Sequence, residues 1–210
     1  MRSLLHQTIV SLGIVVWILL FIVGGAIFDL NLWKSARWTG DDTNTELDHT
    51  LWYTLSYNVH AYLTLSTNHL STNFTTKEAS HLADLRLLVQ LFGLLYWILF
   101  ISLGYVFCSR QYRFIQGLQL AGIILIGIVI ILSVVPFNIS FRLVHYILFP
   151  QGNWQFTKES LLIQLYPLEF FVTMAMHISY RILIAGSLLL IISTIFLKLG
   201  VIPKLGRNKV

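Results

Sequence analysis

Residues 75–109 read TTKEASHLADLRLLVQLFGLLYWILFISLGYVFCS and join a helix start to a long uncharged run. The first four, Thr75-Thr-Lys-Glu78, have the capping-box pattern in which a threonine and a glutamate cap the first turn of a helix. The uncharged run from Leu87 to Ser109 exceeds the roughly 20 residues that a helix needs to cross about 30 Å of hydrocarbon. The stretch therefore predicts one helix that begins near Thr76, outside a membrane, and continues into it.

The composition of the whole chain is typical of integral membrane proteins. Of its 210 residues, 56% are hydrophobic and 11% are charged, and the mean hydropathy is +0.75. The one cysteine, Cys108, excludes an intrachain disulfide and a multi-cysteine metal site. Because basic loops on one side of a membrane explain the formal net charge of +5, no nucleic-acid partner is expected.

Four runs of the sequence are apolar enough to span a bilayer. They cover about residues 8–28, 87–109, 114–135 and 176–197, and only Arg181 interrupts the last of them. We predict an all-α integral membrane protein with four transmembrane helices, folded as a single membrane domain over residues 1–210. The first span is interpreted as an uncleaved helix because its apolar stretch is longer than that of a signal peptide.

Charged residues are divided unequally between the segments that connect the spans. All nine acids lie in the connections 29–86 and 136–175, whereas the termini and the loop between the second and third spans are purely basic. Basic residues of short loops stay in the cytoplasm, so both termini are expected there and both long connections outside. The basic residues of the cytoplasmic segments are Arg2, Arg110, Arg113, Lys198, Lys204, Arg207 and Lys209.

The two outer segments are expected to contain short helices. The stretch from Leu47 to Leu65 fits both a strand period and a helical stripe. Its Thr45-Glu-Leu-Asp48 start favours a helix, and its tyrosines keep a strand open. Phe137 to Phe149 is too short to cross a bilayer and is expected to lie in the membrane interface. Thr157 is expected to cap a further short helix, which Pro167 closes or kinks.

Histidines are the outer residues best suited to catalysis, since no Ser-His-Asp order, Gly-rich phosphate loop or HExxH motif occurs there. His81 and His145 each stand beside an apolar boundary. Asp84 lies one helical turn from His81 and can orient its ring. Of the other histidines, His49, His60 and His69 are expected to be solvated, and His177 to pack at the start of the fourth span.

The residues around both histidines resemble the Lit family of lipoprotein intramolecular transacylases. The run Glu78-Ala-Ser-His81-Leu-Ala-Asp84-Leu-Arg86 is similar to that family's E-x-x-H-x-x-D-[VL]-[KR] element, and it too leads directly into a span. A second set of residues is similar to the family's F-H-x-[IL]-F-F, N-x-x-W, L-I-x-L-[FY]-P and F-F series. It comprises Phe141-Arg-Leu-Val-His145-Tyr-Ile-Leu-Phe149, Asn153-Trp154, Leu162-Ile163, Tyr166-Pro167 and Phe170-Phe171. Val144 and Leu85 depart from the usual Phe and Val, and both exchanges are apolar.

The resemblance implies an activity, a substrate and a set of site residues. Enzymes of this family move the sn-2 acyl chain of a diacylglyceryl-modified N-terminal cysteine to that cysteine's own α-amino group, without a cofactor or metal. The partners would be bacterial lipoproteins and membrane lipid, met at the extracytoplasmic side of the bacterial cell membrane. His81, oriented by Asp84, would take the ammonium proton while His145 donates one, or the two roles would be exchanged.

Three further residues have two interpretations each. Arg86 and Arg142 are candidate partners of the oxyanion or a peptide carbonyl, or else interface anchors. Trp154 lines an acyl groove or belongs to an interfacial aromatic belt.

Two other functions remain open from the residues themselves. A metal-dependent membrane hydrolase would use His81, Asp84, His145 and Glu169 as zinc ligands. A non-enzymatic membrane adaptor would bind a partner through its outer loops and would not need the two histidines.

Overall fold

A computed structural model of the chain describes residues 2–37 and 48–199, and within them it contains helices and turns but no strand. The helices of the described chain are α1 (Arg2–Phe28), α2 (Leu30–Arg37), α3 (His49–Leu63), α4 (Thr76–Ser109), α5 (Gln111–Val134), α6 (Phe137–Leu148), α7 (Leu161–Leu165) and α8 (Leu168–Leu199).

Four of the described helices are long and apolar enough to cross a membrane. The candidate spans are Leu4–Phe28, Thr76–Ser109, Arg113–Val134 and Leu168–Leu199. The predicted all-α class with four membrane-spanning helices is therefore confirmed at this level. The uninterrupted helix α4 also confirms the prediction that the capping box and the apolar run after it form one helix.

The ambiguous stretch in the first outer segment is helical. His49–Leu63 forms α3, so the strand alternative is wrong. Its buried hydrophobic side chains include Trp52, Leu55, Val59 and Leu63, and their spacing of three and four residues places them on one face of the helix. Thr45 and Leu47, which entered the prediction, lie outside the described residues.

The short helix of the second outer segment begins later than predicted. Ser160, and not Thr157, is the N-cap of α7, because its hydroxyl accepts a hydrogen bond from the Ile163 amide. Pro167 then separates α7 from α8, as the sequence predicts.

The chain divides into two compact units. The first contains Met1–Ile22, Leu94–Val134 and Ser179–Val210, and the second contains Val23–Gly93 and Val135–Ile178. In the first unit α5 approaches α8 closely, since a Cβ atom added to Gly122 would lie 2.8 Å from the Gly186 carbonyl oxygen. Small residues at such a contact allow two membrane helices to pack backbone against backbone.

The second unit has its own apolar core, built around tryptophans of α2 and α3. Trp33 and Trp52 are buried in it together with side chains of α7 and of the first turns of α8. Each indole N–H donates to a backbone carbonyl, that of Ala26 for Trp33 at 3.0 Å and that of Leu165 for Trp52 at 2.9 Å. The rings are therefore fixed in orientation as well as in depth.

Glu78 connects two helices of the second unit. Its Oε2 atom accepts hydrogen bonds from the amide and the hydroxyl of Thr75, both at 2.8 Å, and the Thr75 hydroxyl accepts from the Glu78 amide. This is the predicted capping box. Its Oε1 atom accepts from the buried Leu162 amide at 3.0 Å, and the side chain is only 1% exposed. One carboxylate thus caps α4 and holds the start of α7 against it.

Replacing Glu78 with alanine is expected to lower the free energy of unfolding by about 3 kcal/mol, because the cap is lost and the buried Leu162 amide keeps no partner. The measurement is the thermal midpoint of the purified protein in detergent. Glu159→Ala is the matched control, since Glu159 is exposed in the same outer segment and its replacement should leave the thermal midpoint close to that of the wild-type protein. Equal midpoints for the two variants would contradict the role of Glu78.

Helix α6 is amphipathic and none of its residues is fully buried. Leu143, Val144, Tyr146 and Ile147 are exposed, whereas Phe141 and His145 on the other face are partly buried. The exposed face of this short helix is therefore largely apolar.

Candidate active site

Two histidines from different helices of the second unit meet at one cavity. His81 lies in the second turn of α4 and His145 in the last turn of α6. Their ring centroids are 6.3 Å apart and the rings are inclined by 28°. Both line a cavity of about 380 Å³. The pair that the sequence singled out is therefore assembled, although 63 residues of chain separate its members.

Aromatic side chains surround both imidazoles. Phe149 and Phe156 contact His81, with ring centroids at 4.6 Å and 5.6 Å. Phe141 and Trp154 contact His145, at 4.0 Å and 5.0 Å. This apolar surround leaves His81 only 6% exposed. In such an environment a neutral imidazole is favoured over a charged one.

The His145 ring is held in one tautomer. Its Nδ1 atom lies 2.8 Å from the Phe141 carbonyl oxygen, one helical turn earlier, so Nδ1–H donates and Nε2 carries the lone pair in the neutral ring. Burial lowers the pKa of His145 below its ordinary value of 6.5, while the bond to Phe141 opposes that shift. The His145 imidazole is thus neutral at neutral pH.

Asp84 binds the loop that follows α6. Its Oδ2 atom accepts hydrogen bonds from the side-chain amides of Asn153 at 2.6 Å and Gln151 at 2.7 Å. Asn153 also donates to the Ser80 hydroxyl at 3.3 Å. The carboxylate therefore fixes the loop that follows α6 against α4. These hydrogen bonds of Asp84 go to the loop amides and not to the His81 ring, and its predicted role in orienting that ring stays a prediction.

The loop after α6 forms part of the cavity wall. It contributes Trp154 and Phe156, and the Lys77 ammonium on α4 donates to the Gln155 carbonyl and lies 5.3 Å above the Phe156 ring. The sequence identified Trp154 as a candidate but not Gln151 or the hydrogen bond from Asn153 to Asp84. In the sequence, the turn-forming residues Pro150-Gln-Gly-Asn153 indicate that the chain folds back at this point.

The two arginine candidates lie outside the cavity lining. Arg86 donates to the Thr67 carbonyl at 2.8 Å and to the Asn68 side chain, and its guanidinium stacks 4.5 Å from the Tyr62 ring. Arg142 is exposed and donates to the Asn138 carbonyl of its own helix at 3.3 Å. Arg86 therefore fixes the connection between α3 and α4.

The remaining outer histidines differ in their surroundings. His60 packs edge-on against the Trp33 indole at 5.3 Å and its Nε2 atom is buried, so the expectation of a solvated His60 is wrong. His177 is exposed on α8, in its third turn rather than at its start.

The residues considered as zinc ligands are not assembled into a ligand set. Across residues 2–37 and 48–199, no three His, Cys, Asp or Glu side chains come together in a way that could hold a metal ion. Glu169 is exposed, and Asp84 is engaged by the loop amides.

Comparison with known proteins identifies one family. The sequence model described as "Lipoprotein intramolecular transacylase Lit" matches residues 8–171. No curated protein sequence matches the chain significantly.

Solved structures show a similar fold. The membrane integral lipoprotein intramolecular transacylase Lit from Bacillus cereus is 20% identical, with a TM-score of 0.78 over 94% of this chain and 96% of that one. Variants of the same protein in which a histidine is replaced by arginine or by alanine are each 19% identical, with a TM-score of 0.72. They cover 94% of this chain and 92% and 94% of theirs.

Proposed function

The chain belongs to the lipoprotein intramolecular transacylase (Lit) family, and from that premise we propose that His81 and His145 carry the protons of its reaction. The protein is an acyltransferase integral to a membrane, and it acts on lipoproteins. It moves the sn-2 acyl chain of a diacylglyceryl-cysteine to the α-amino group of the same cysteine and leaves a lyso-form lipoprotein.

The reaction exchanges an ester for an amide within one molecule. The amine nitrogen forms a bond to the acyl carbon, and the bond from that carbon to the glyceryl oxygen breaks. On the way from ammonium to amide the nitrogen loses two protons. One is released to solvent and one arrives at the glyceryl oxygen, so the protein ends in the protonation state in which it began. Because nucleophile and ester share one molecule, a confined site that brings them together supplies much of the rate.

The observation that carries the proposal is the pair of imidazoles opening on one apolar cavity, with 6.3 Å between their centroids. An amine and an ester carbonyl that occupy the same cavity are then within reach of two groups able to transfer protons near neutral pH. The apolar lining offers few hydrogen-bond partners to water, which would otherwise compete with the amine for the ester carbon.

Of the two assignments that the sequence leaves open, His145 as the base has the stronger support. Its Nδ1–H bond to the Phe141 carbonyl leaves Nε2 free to accept the proton of the substrate ammonium. His81 then interacts with the ester, as the donor toward the carbonyl or the leaving glyceryl oxygen. Its Nδ1 atom is fully buried, so its Nε2 atom is the nitrogen that would exchange the proton.

The charge distribution supports an extracytoplasmic site with both termini in the cytoplasm of a bacterium. The amphipathic α6 would lie in the membrane–water interface on the extracytoplasmic side. Its exposed apolar face would point toward lipid and His145 toward the cavity. A diacylglyceryl cysteine, anchored in the same leaflet by its chains, would enter at that depth. Trp154 would contact the substrate as part of the cavity wall.

The function is tested by expressing the protein in a bacterial strain whose lipoproteins carry only a diacylglyceryl cysteine. Mass spectrometry of the N-terminal lipopeptide is expected to show an acyl chain on the α-amino group and one fewer chain on the glyceryl group. Mild alkaline hydrolysis distinguishes the acyl chain on the α-amino group from a chain on the glyceryl group, because it cleaves esters and leaves the amide intact. A strain with the empty vector is the control, and a free N-terminal amine in the expressing strain would contradict the function.

A further inference from the structure

The cavity continues from the two histidines along a wall of aromatic rings in successive contact. The Phe141 ring lies 4.0 Å from His145 and 5.1 Å from Phe171, measured between centroids. Phe171 lies 5.2 Å from Phe170, which lies 6.2 Å from Trp33. All of these residues line the cavity, so its lining runs from the catalytic pair to the core tryptophan of α2.

Aliphatic side chains also line the cavity. They include Leu82 and Leu85 of α4 and Val59 and Leu63 of α3. Among the cavity-lining residues of the described chain there is no lysine, arginine, aspartate or glutamate. Such a lining fits a hydrocarbon chain and offers no charged group to a phosphate, a sugar acid or a charged peptide side chain.

The geometry points to the migrating acyl chain as the occupant, and to Trp33 as the residue that limits its length. The inference rests on the proposed function. If the ester carbonyl lies between His81 and His145, the acyl chain attached to it must extend away from them. The aromatic wall leads from that point to the indole of Trp33, against which the methyl end of the chain would lie.

Trp33 is well suited to be a fixed end wall. The residue is 6% exposed and its Nε1–H donates to the Ala26 carbonyl. The edges and faces of His60, Tyr166 and Phe170 meet the indole at 5.3 to 6.2 Å between centroids. An indole held on several sides cannot rotate aside for a longer chain, so each extra methylene group would meet a rigid surface.

The test uses purified protein and synthetic diacylglyceryl lipopeptides with a fixed sn-1 chain and sn-2 chains of increasing length. Initial rates of N-acyl product are measured by mass spectrometry for each length. The wild-type rate is expected to rise with chain length and then fall. Trp33→Leu should move the maximum to longer chains, with a gain of about fourfold in relative rate for each methylene group newly buried. Val59→Phe should move it to shorter chains.

Trp52→Leu is the matched control. Trp52 is a buried tryptophan of the same core, and its indole also donates to a backbone carbonyl, but it does not line the cavity. The Trp52→Leu protein should be less stable than the wild-type protein, but the dependence of its rate on sn-2 chain length should not change. A second lipopeptide series varies the sn-1 chain instead, and its profile should not respond to Trp33→Leu or Val59→Phe.

The outcomes separate this inference from the proposed function. Active Trp33→Leu and Val59→Phe variants with unshifted profiles would overturn the length limit and leave the transacylase function intact. A shift in the sn-1 series alone would assign the cavity to the chain that does not migrate, and would also overturn it. Absence of N-acyl product from the wild-type protein with every lipopeptide would instead contradict the proposed function.

Discussion

Replacing His145 with alanine is expected to slow acyl migration by about 10²- to 10⁴-fold, which is the usual contribution of one positioned general base. The ring sits at the cavity with its Nδ1–H bonded to the Phe141 carbonyl and its Nε2 atom unprotonated. Without it the substrate ammonium, which cannot attack an ester, has no positioned base in the cavity to take its proton. His81→Ala should produce a loss of similar size, since donation toward the ester fails.

The measurement is the rate of N-acyl product from a diacylglyceryl lipopeptide, with thermal midpoints recorded for every variant. The double variant should be little slower than either single one, because two residues that serve one proton-transfer cycle are not additive. His177→Ala is the control, since His177 is exposed on α8 and should keep the wild-type rate. Retention of a third or more of the wild-type rate by a folded His145→Ala protein would exclude His145 as the base.

The pH profile of the wild-type protein provides a further readout of His145. A base must be neutral to act, and burial lowers the pKa of this imidazole below 6.5. The neutral form therefore persists to more acidic pH than for an exposed histidine. The acid limb of the profile should lie below pH 6.5, and the limb should be absent from the residual activity of His145→Ala.

Local signals predicted the helices because each is decided within a few residues of chain. The capping box at Thr75 and Glu78 and the apolar run to Ser109 are both properties of α4 alone, and α4 forms where they predict it. α8 differs, because it begins at Leu168, directly after Pro167, and therefore eight residues before the predicted start of the fourth span at about residue 176. In the first outer segment the hydrophobic periodicity fitted a strand and a helix equally well. The stretch forms the helix α3, which buries Trp52 and Val59 in the core of the second unit.

Such local signals could not predict contacts between residues that are distant in the chain. The spacing of His81 and Asp84 on one helix correctly predicted that both lie on the same side of α4, but it could not reveal that Asn153 and Gln151 fold back onto the carboxylate. Likewise Glu78 satisfies its capping box locally and also binds the Leu162 amide, 84 residues later. The cap of α7 that the sequence assigned to Thr157 comes instead from the Ser160 hydroxyl, which accepts from the Ile163 amide.

The most informative position after the histidines is Asp84, because its two interpretations predict different results for the same pair of substitutions. As an anchor, Asp84 holds Asn153 and Gln151, and through them the loop that carries Trp154 and Phe156 to the cavity. As a charge, it would act on His81 directly. An asparagine keeps an oxygen that can accept from the loop amides and removes the charge, whereas an alanine removes both.

We expect Asp84→Ala to slow acyl migration by about 10- to 100-fold, since a wall of the cavity displaced by about 1 Å misaligns the ester and the amine. Asp84→Asn should stay within about threefold of the wild-type rate. Asn153→Ala removes the loop partner of the same bond, so combining it with Asp84→Ala should add little further loss, whereas independent effects would multiply. If Asp84→Asn were as slow as Asp84→Ala, and the Asn153 effect multiplied with it, the carboxylate would act by its charge, and the loop it binds would have no part in aligning the substrate.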